Sequence, residues 1–517
     1  MTHPRARRLL PALALLLCLA LPGCAGSPAP SSAPPALPET PPPEQPAAAE
    51  PGFLTLGYLP AEGFNPYLVN SQLVVQNAGL LFEKLVEITP DMELDYRLAQ
   101  AVECIGNQVV VHLRGGCFFA DGTPVRPEDA LASLAAARAS ACYGGRFANI
   151  EKAELQDGAL VITLTRPDSL FAYLCDIPVL KESEVASAQP TASGRYTYGA
   201  EGELVRSTRA PFPEEGPECI RLAQVSGYDA MVSGLAVGAL NLYAAADGVD
   251  AVSSIASQQS FYRTNNLVYL GVNAVREEAG AGAALLSSGQ GRALLSRLID
   301  RRILAEKCFY GRAYPATGAI NGFYTCVKGS QLILAEQDAA GAEEAFLALG
   351  YTRDPVSGYY QDAEGRPLRL SLLVYSGSTY KRYAASQLAE QLAAQGVYLE
   401  IKDPDDFNAY LEQVQAGQFD LYIGEVKLYN NMDISPFLEG GAVSVGIQQS
   451  EALTLSYEAF RANMSAAGAF EQQFAAEMPW IPLVWRSGTV VSSRSVSGLS
   501  ASISNLFYSL GGLSVAP

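Results

Sequence analysis

The stretch LRLSLLVYSGSTYKRYAASQLAEQLAAQGVYLEIKDPDDFNAYLEQVQAGQFDLYI, Leu368 to Ile423, decides the fold. Runs of strand-forming residues alternate in it with apolar residues at helical spacing. Gly396 and Gly417 stand where helices end, as C-terminal caps. The predicted order is strand, helix, strand, helix and strand: Leu368–Tyr375, Tyr380–Gln395, Val397–Ile401, Asp405–Ala416 and Phe419–Ile423. Crossovers of this length predict a parallel or mostly parallel sheet and an α/β architecture.

The segment that leaves the last of these strands, GEVKLYNNMD (Gly424–Asp433), is the first candidate for a binding site. Ligands of open α/β sheets gather outside the carboxyl ends of the strands. The segment combines a glycine for close backbone approach with charges, an aromatic ring and two amides. We expect part of it to line a ligand cleft; the alternative is an ordinary solvated loop.

The amino-terminal half has a different pattern. Val109–Leu113 and Ala159–Leu164 are predicted strands with hairpin-like spacing, and an alanine-rich helix begins near Pro127. These elements predict a smaller α+β lobe. A charged helix, Arg292–Lys307, is assigned to the larger lobe.

The first residues have the pattern of an export signal. A positively charged start precedes an apolar run, Leu9–Leu21, that is too short to span a bilayer. The following LPGC resembles a bacterial lipobox, which predicts removal of residues 1–23 and a lipid on Cys24; an ordinary signal peptide is the alternative. Residues 24–52 are rich in proline, alanine and serine, which predicts an extended tether between membrane and folded chain.

Composition narrows the function classes. A formal charge of −18 argues against nucleic acid or an anionic lipid surface as a partner. His112 lies inside the predicted strand VVVHLR, where packing is a better explanation than metal binding. The chain has no nucleophile elbow, zinc-protease motif or P-loop, so we predict neither an enzyme nor a cofactor.

Nine cysteines occur in the chain, and two of them, Cys18 and Cys24, belong to the export signal and the lipobox. The others are scattered without the spacing of a zinc site. One or two disulfides, with Cys308 and Cys326 as the nearest pair beyond the first lobe, and buried free thiols both fit this pattern.

Six segments, in this order, carry a resemblance to the family 5 extracellular solute-binding proteins, the peptide, oligopeptide and nickel receptors of ABC importers. They are FNPYLVNSQLVVQNAGLLFEKLVEI (64–88), VVVHLRGGCFFADGTPVRPEDALASL (109–134), PTASGRYTY (190–198), GRALLSRLIDRRILAEKCFYGRAYPATGAI (291–320), AGQFDLYIGE (416–425) and EMPWIPLVW (477–485). The resemblance covers nearly all of Phe53 to Gly498.

This resemblance implies a bilobed, periplasmic-binding-protein-like α/β fold of type II, with mixed sheets, three regions and a ligand cleft between the lobes. The implied boundaries are 53–88 with 189–265 and 475–517 for domain I, 89–188 for the inserted domain II, and 266–474 for the closing domain III. In this scheme the turn at Asp121-Gly122 is scaffold.

The resemblance also implies site residues. Peptide receptors of the family hold the ligand's amino terminus with an aspartate in a Trp-x-x-Asp-Tyr context. This chain has no tryptophan there, so Glu425 or Asp433 is expected to serve. The remaining candidates are Lys427 and Arg195 for a carboxylate, Tyr58, Tyr429 and Trp485 as apolar walls or core residues, and Asn65 and Asn430 as polar contacts.

The function implied is that of an exported, lipid-anchored receptor on the outer face of the cytoplasmic membrane, in the periplasm if the cell has an outer membrane. It would bind a peptide or similar polar solute and pass it to an ABC permease and its ATPase. The alternatives are a peptide sensor without transport and a binder of a sugar or a metal chelate.

Overall fold

We describe a computed structural model of the protein over residues 52–245, 257–276, 280–329, 332 and 341–516. The predicted export signal, the lipid site Cys24 and the tether up to residue 51 lie outside the described residues.

Strands make up most of the framework. They are β1 (Leu54–Tyr58), β2 (Val86–Ile88), β3 (Leu94–Tyr96), β4 (Ala99–Ile105), β5 (Gln108–Leu113), β6 (Ile150–Gln156), β7 (Ala159–Leu164), β8 (Tyr196–Tyr198), β9 (Leu204–Arg206), β10 (Cys219–Gln224), β11 (Leu242–Ala244), β12 (Ser257–Val272), β13 (Ala313–Pro315), β14 (Thr352–Arg353), β15 (Tyr360–Gln361), β16 (Arg369–Leu373), β17 (Tyr398–Lys402), β18 (Leu421–Lys427), β19 (Trp480–Ser493), β20 (Val496–Ser497) and β21 (Ser514–Val515).

Helices lie between and outside these strands. They are α1 (Gln72–Leu81), α2 (Pro127–Ala139), α3 (Tyr228–Ala236), α4 (Ala281–Ser287), α5 (Gly289–Arg297), α6 (Arg301–Ile303), α7 (Ala342–Ala348), α8 (Thr379–Ala394), α9 (Phe407–Gln415), α10 (Glu451–Ala462) and α11 (Ala467–Glu477). Short 3₁₀ turns cover Gly144–Phe147, Phe171–Leu174, Glu182–Glu184, Ser435–Phe437 and Met464–Ala466.

One mixed sheet of eleven strands runs through the described part of the chain, in the order β17-β16-β18-β12-β19-β11-β1-β10-β9-β8, with β13 beside β19. A separate four-stranded antiparallel sheet has the order β4-β5-β7-β6. The large sheet is therefore continuous across the molecule, and its central strands are the long pair β12 and β19.

The two larger hydrophobic cores of the described residues mark two lobes. The first core combines the β1 end of the large sheet with the four-stranded sheet, and includes Leu56 and Leu160. The second core lies under the β16–β18 end and includes Leu372 and Trp480. We call these halves the first lobe and the closing lobe. The bilobed mixed α/β fold expected from the resemblance is confirmed, whereas the three domain boundaries stay a prediction.

The β-α-β-α-β prediction is confirmed. β16 pairs in parallel with both β17 and β18, and α8 and α9 form the crossovers. Gly396 and Gly417 have φ values of +82° and +65°, the left-handed conformation that ends a helix with little cost only for glycine. The strands near residues 109 and 160 and the helix from Pro127 are also present.

The continuous helix expected over Arg292–Lys307 is wrong. The structure has α5, a break, the short α6 and then a π-helical turn, Leu304–Cys308. The reason is Asp300, whose carboxylate accepts hydrogen bonds from the backbone of Arg302 and Ile303 and so starts a new helix.

The chain passes between the lobes along β12 and β19. Their antiparallel register shifts between Arg263 and Asn266, opposite Arg486 and Ser487. At this shift Thr264 donates a side-chain hydrogen bond to the Arg486 carbonyl over 2.7 Å. At this level β12 has two extra residues, Thr264 and Asn265, opposite the consecutive pair Arg486 and Ser487 of β19. Such an irregularity in the strand pair that connects the lobes is a natural place for a hinge.

The seven cysteines of the described residues, Cys104, Cys117, Cys142, Cys175, Cys219, Cys308 and Cys326, are free thiols. Within the same residues, no helix combines the length and apolar character needed to cross a membrane.

Candidate functional site

A recess opens beside the hinge, where β19 passes from one lobe to the other. Phe309, Tyr310 and Tyr380 form its aromatic walls, and its polar lining is Arg312, Arg486, Ser487 and Thr489. Its empty volume, including the part open to solvent, is about 350 Å³. We call this feature the hinge recess.

Glu425 contacts one residue that lines the hinge recess, Arg486, and both of its carboxylate oxygens have partners. One carboxylate oxygen accepts from Asn266 Nδ2 over 2.7 Å and from an Arg486 terminal nitrogen over 2.8 Å. The other oxygen lies 2.7 Å from Lys381 Nζ. Four elements supply these groups. Glu425 lies on β18, Asn266 on β12 and Arg486 on β19, and Lys381 stands in the first turn of α8, which follows the carboxyl end of β16.

The charges in this cluster fix the protonation state of Glu425. Burial by itself raises the pKa of the carboxyl, but the Lys381 and Arg486 charges and their hydrogen bonds outweigh it and lower the pKa to about 2. Glu425 is therefore ionised at physiological pH. Two cations share its single charge, so the cluster keeps a net positive charge.

A second polar cluster joins the lobes. Asp168 of the first lobe lies 2.5 Å from an Arg461 nitrogen and accepts from Asn431 Nδ2 over 2.6 Å. Arg461 also donates to the Asn431 carbonyl over 2.7 Å. We call this the interlobe cluster. Burial raises the pKa of Asp168 although Arg461 and the hydrogen bonds oppose it, so the carboxylate depends on its cation.

The GEVKLYNNMD segment contributes to this contact as well. Asn430 donates to Asp176 over 3.2 Å, and Asp433 lies 3.2 Å from Arg166 and accepts from Tyr457 over 2.8 Å. Burial raises the pKa of Asp433, and Arg461 and the hydrogen bonds then lower it below its usual value.

Tyr429 lies against the first lobe. A Cβ placed on Gly145 would be 2.4 Å from the Tyr429 hydroxyl, so the two lobes touch there without intervening space. Tyr429 is nevertheless 47% exposed, and Lys427 at the end of β18 is exposed. The structure therefore brings Tyr429, Asn430 and Asp433 together at the lobe boundary, whereas Glu425 contacts the hinge recess through Arg486.

The other predicted site residues lie apart from these. Asn65 is buried and holds the Val185 and Ser187 carbonyls through its amide. Arg195 is buried and donates to the Gly79 and Tyr508 carbonyls, beside Glu214.

Tyr58 stacks on Phe64 with ring centroids 5.6 Å apart. Trp485 is 1% exposed and belongs to the core of the closing lobe, which is the second of the two roles considered for it.

Several residues of the site were missed from the sequence, namely Asn266, Arg312, Lys381, Tyr380, Arg486 and Ser487. Two signals were available. Lys381 stands in the first turn of a helix that follows a strand's carboxyl end, and Arg486 follows directly on the quoted EMPWIPLVW. Among the described residues, no group of three or more His, Cys, Asp and Glu side chains is placed to hold a metal ion.

The molecule has two lobes, a pair of strands that connects them and a polar recess beside the register shift of that pair. These features define the class of bilobed binding proteins. The model of the bacterial extracellular solute-binding proteins, family 5 (middle), matches residues 227–441. This match and the fold agree with the assignment to family 5 that the sequence resemblance implies.

Known proteins agree with this assignment. The nickel-binding protein NikA of Staphylococcus aureus is 25% identical over 166 residues, 32% of this chain and 29% of that protein. A nickel ABC transporter structure from Bacillus halodurans is 16% identical, with a TM-score of 0.69 over 88% of this chain and 98% of that chain. The oligopeptide-binding protein AppA of Bacillus subtilis, in complex with a nonapeptide, is 14% identical, with a TM-score of 0.53 over 90% of this chain and 100% of that chain. At these identities the solved structures show the fold.

Proposed function

We propose that the protein is the substrate-binding component of an ABC importer, anchored by a lipid on Cys24 to the outer face of the cytoplasmic membrane. It captures a polar solute between its lobes and delivers it to the permease and its ATPase. The observation that carries this proposal is the hinge in β12 and β19 within a family 5 fold. A hinge between two cores lets the lobes close over a ligand and present one closed surface to a membrane partner.

The solute class follows from the relatives and the site together. The similar proteins include a nickel-binding protein and a receptor crystallised with a nonapeptide. Both kinds of ligand are polar. The polar groups at the hinge recess and along Tyr429 to Asp433 favour a peptide or a metal chelate over an apolar solute.

Closure has an energetic basis in the described contacts. The interlobe cluster and the contact of Tyr429 with Gly145 join residues of the two lobes. A ligand that contacts both lobes adds to these interactions and shifts the population towards the closed form.

The test is a ligand screen with two measurements, the melting temperature and the radius of gyration in solution. The panel contains free peptides of two to nine residues, nickel with histidine, and neutral sugars. A ligand at about 100 times its Kd should add about 2.7 kcal/mol of stability, and it should also make the protein more compact. A panel in which no compound raises the melting temperature or compacts the protein would reject the proposal.

A further inference from the structure

We infer that the hinge recess binds a carboxylate of the solute, so that the ligands of this protein are carboxylate-bearing polar molecules. The inference rests on the proposed solute-binding function and adds the chemical group that the site recognises.

The first argument is charge. Arg312 and Arg486 line the hinge recess, and Lys381 stands behind it, against the single carboxylate of Glu425. Within the described residues, Arg312 has no carboxylate at ion-pair distance; its guanidinium lies 5.9 Å from the centroid of the Phe261 ring. An ammonium group entering this site would meet excess positive charge, whereas a carboxylate would neutralise it.

The second argument is the direction and order of the donors. Arg486 uses one terminal nitrogen for both Glu425 and Tyr380, over 2.8 and 3.1 Å. Its guanidinium also lies over the Tyr380 ring, 4.5 Å from the centroid. These contacts hold the side chain in place and leave its other nitrogens for a ligand. A fixed planar guanidinium is the group best suited to a carboxylate.

The third argument is an unsatisfied hydroxyl. Ser487 Oγ is buried and has no hydrogen-bond partner among the described residues, although its residue lines the hinge recess. A buried hydroxyl without a partner is costly, and such groups in native proteins usually have a partner that is not part of the protein. A carboxylate oxygen held by Arg312 and Arg486 would accept this hydroxyl's hydrogen.

Glu425 then has a different role from the one expected from the sequence. It accepts hydrogen bonds from Lys381, Arg486 and Asn266, so it positions the cations instead of meeting the ligand's amine. A peptide would therefore place its carboxyl terminus, or an acidic side chain, at the hinge recess.

The experiment compares matched probes. Trialanine, triglycine, trialanyl-glutamate, succinate and nickel with histidine are titrated calorimetrically, each beside a form whose carboxylates are carboxamides (for nickel, histidinamide). The carboxylate forms should bind and the carboxamide forms should bind about 10- to 100-fold more weakly, as expected for losing a charge-assisted hydrogen bond.

The variant Arg312→Gln should weaken the carboxylate forms by a similar factor and leave the carboxamide forms unchanged. Arg382→Gln is the matched control, since this arginine is one residue beyond Lys381, is exposed and lies 3.2 Å from Asp403 on the surface. Its affinities should equal those of the parent protein.

The possible failures are distinct. Equal binding of carboxylate and carboxamide forms, or no effect of Arg312→Gln on a bound carboxylate, overturns the inference and leaves the proposed function intact. Binding of neutral sugars with no binding of any carboxylate probe would also overturn the inference and leave the proposed function intact. A protein that binds no member of either panel loses both proposals.

Discussion

Glu471 is buried, and no cation of the described residues pairs with its carboxyl group. Its two oxygens accept hydrogen bonds from the backbone amides of Ala319 and Ile320, over 3.0 and 2.7 Å. A Cβ on Gly318 would lie 2.3 Å from one of these oxygens, so only glycine allows this approach. Burial raises the pKa of Glu471 to about 7, although the two amides act in the opposite direction.

We expect the stability of the protein to fall as the pH rises from about 4.5 to about 7 because of Glu471. The unfolded carboxyl loses its proton near its ordinary pKa, while the folded one keeps it to about 7. The favourable contribution is therefore complete below the unfolded pKa and is lost as the pH passes the folded pKa. Between pH 5 and 8, the free energy of unfolding of the Glu471→Gln protein should therefore decline by on the order of 2 to 3 kcal/mol less than that of the parent protein.

Urea unfolding of both proteins at several pH values measures this difference. The glutamine lacks one hydrogen-bond acceptor, but that cost is the same at every pH. Parallel stability profiles for the parent and Glu471→Gln would show that the raised pKa does not exist.

At the level of residues, the sequence singled out Glu425 but did not indicate its chemistry. The sequence placed this carboxylate in a loop after a strand that ends at Ile423, whereas β18 continues to Lys427 and Glu425 lies within it, paired with β12. Its partner Arg486 is 61 positions away and comes through β19. No local pattern indicates that two cations converge on one acid, so an amine anchor was a reasonable but unsupported expectation.

Elements were predicted best where their pattern is local. The strands and helices from Leu368 to Ile423 follow the two- and 3.6-residue periods, and glycine ends the helices. The helix over Arg292–Lys307 was predicted as one element because its apolar period continues through Asp300. An aspartate at this point of the sequence can also start a new helix, as the hydrogen bonds of Asp300 show.

Replacing glycine by alanine should change the free energy of unfolding in opposite directions at a helix end and inside a helix. Gly417 has a φ of +65°, and an added Cβ would meet only Asn273 at 3.5 Å, so Gly417→Ala should cost about 1 to 2 kcal/mol through backbone strain. Gly468 lies in the first turns of α11 with open space around it, so Gly468→Ala should stabilise by about 0.5 kcal/mol.

Urea unfolding of the two alanine variants checks both signs. A stable Gly417→Ala protein would mean that the chain after α9 does not need the left-handed conformation.

At the scale of the whole molecule, the arrangement of the lobes depends on contacts between distant segments. The hinge level in β12 and β19 and the interlobe cluster involve residues more than 200 positions apart. The bilobed fold was nevertheless predictable, because six ordered motifs resemble one family. The side chains that hold the lobes together could not be predicted, since the resemblance does not specify them.

The buried pair of Asp168 and Arg461 should control lobe closure. Replacing Asp168 by asparagine places an amide beside a cation that is 10% exposed, and removing one partner of a buried pair typically costs about 3 to 5 kcal/mol. Opening the lobes relieves most of this cost, because water then reaches Arg461. We therefore expect Asp168→Asn to shift the population to open lobes, with a larger radius of gyration in small-angle scattering. The affinity for any ligand found in the screen should fall in proportion to the loss of the closed population.

Glu154→Gln is the control for Asp168→Asn. The ion pair of Glu154 with Lys152 is exposed on the first lobe, so this substitution should change neither the radius of gyration nor the affinity. Scattering that is identical for Asp168→Asn and the parent protein, with unchanged affinity, would show that the interlobe cluster does not hold the lobes together.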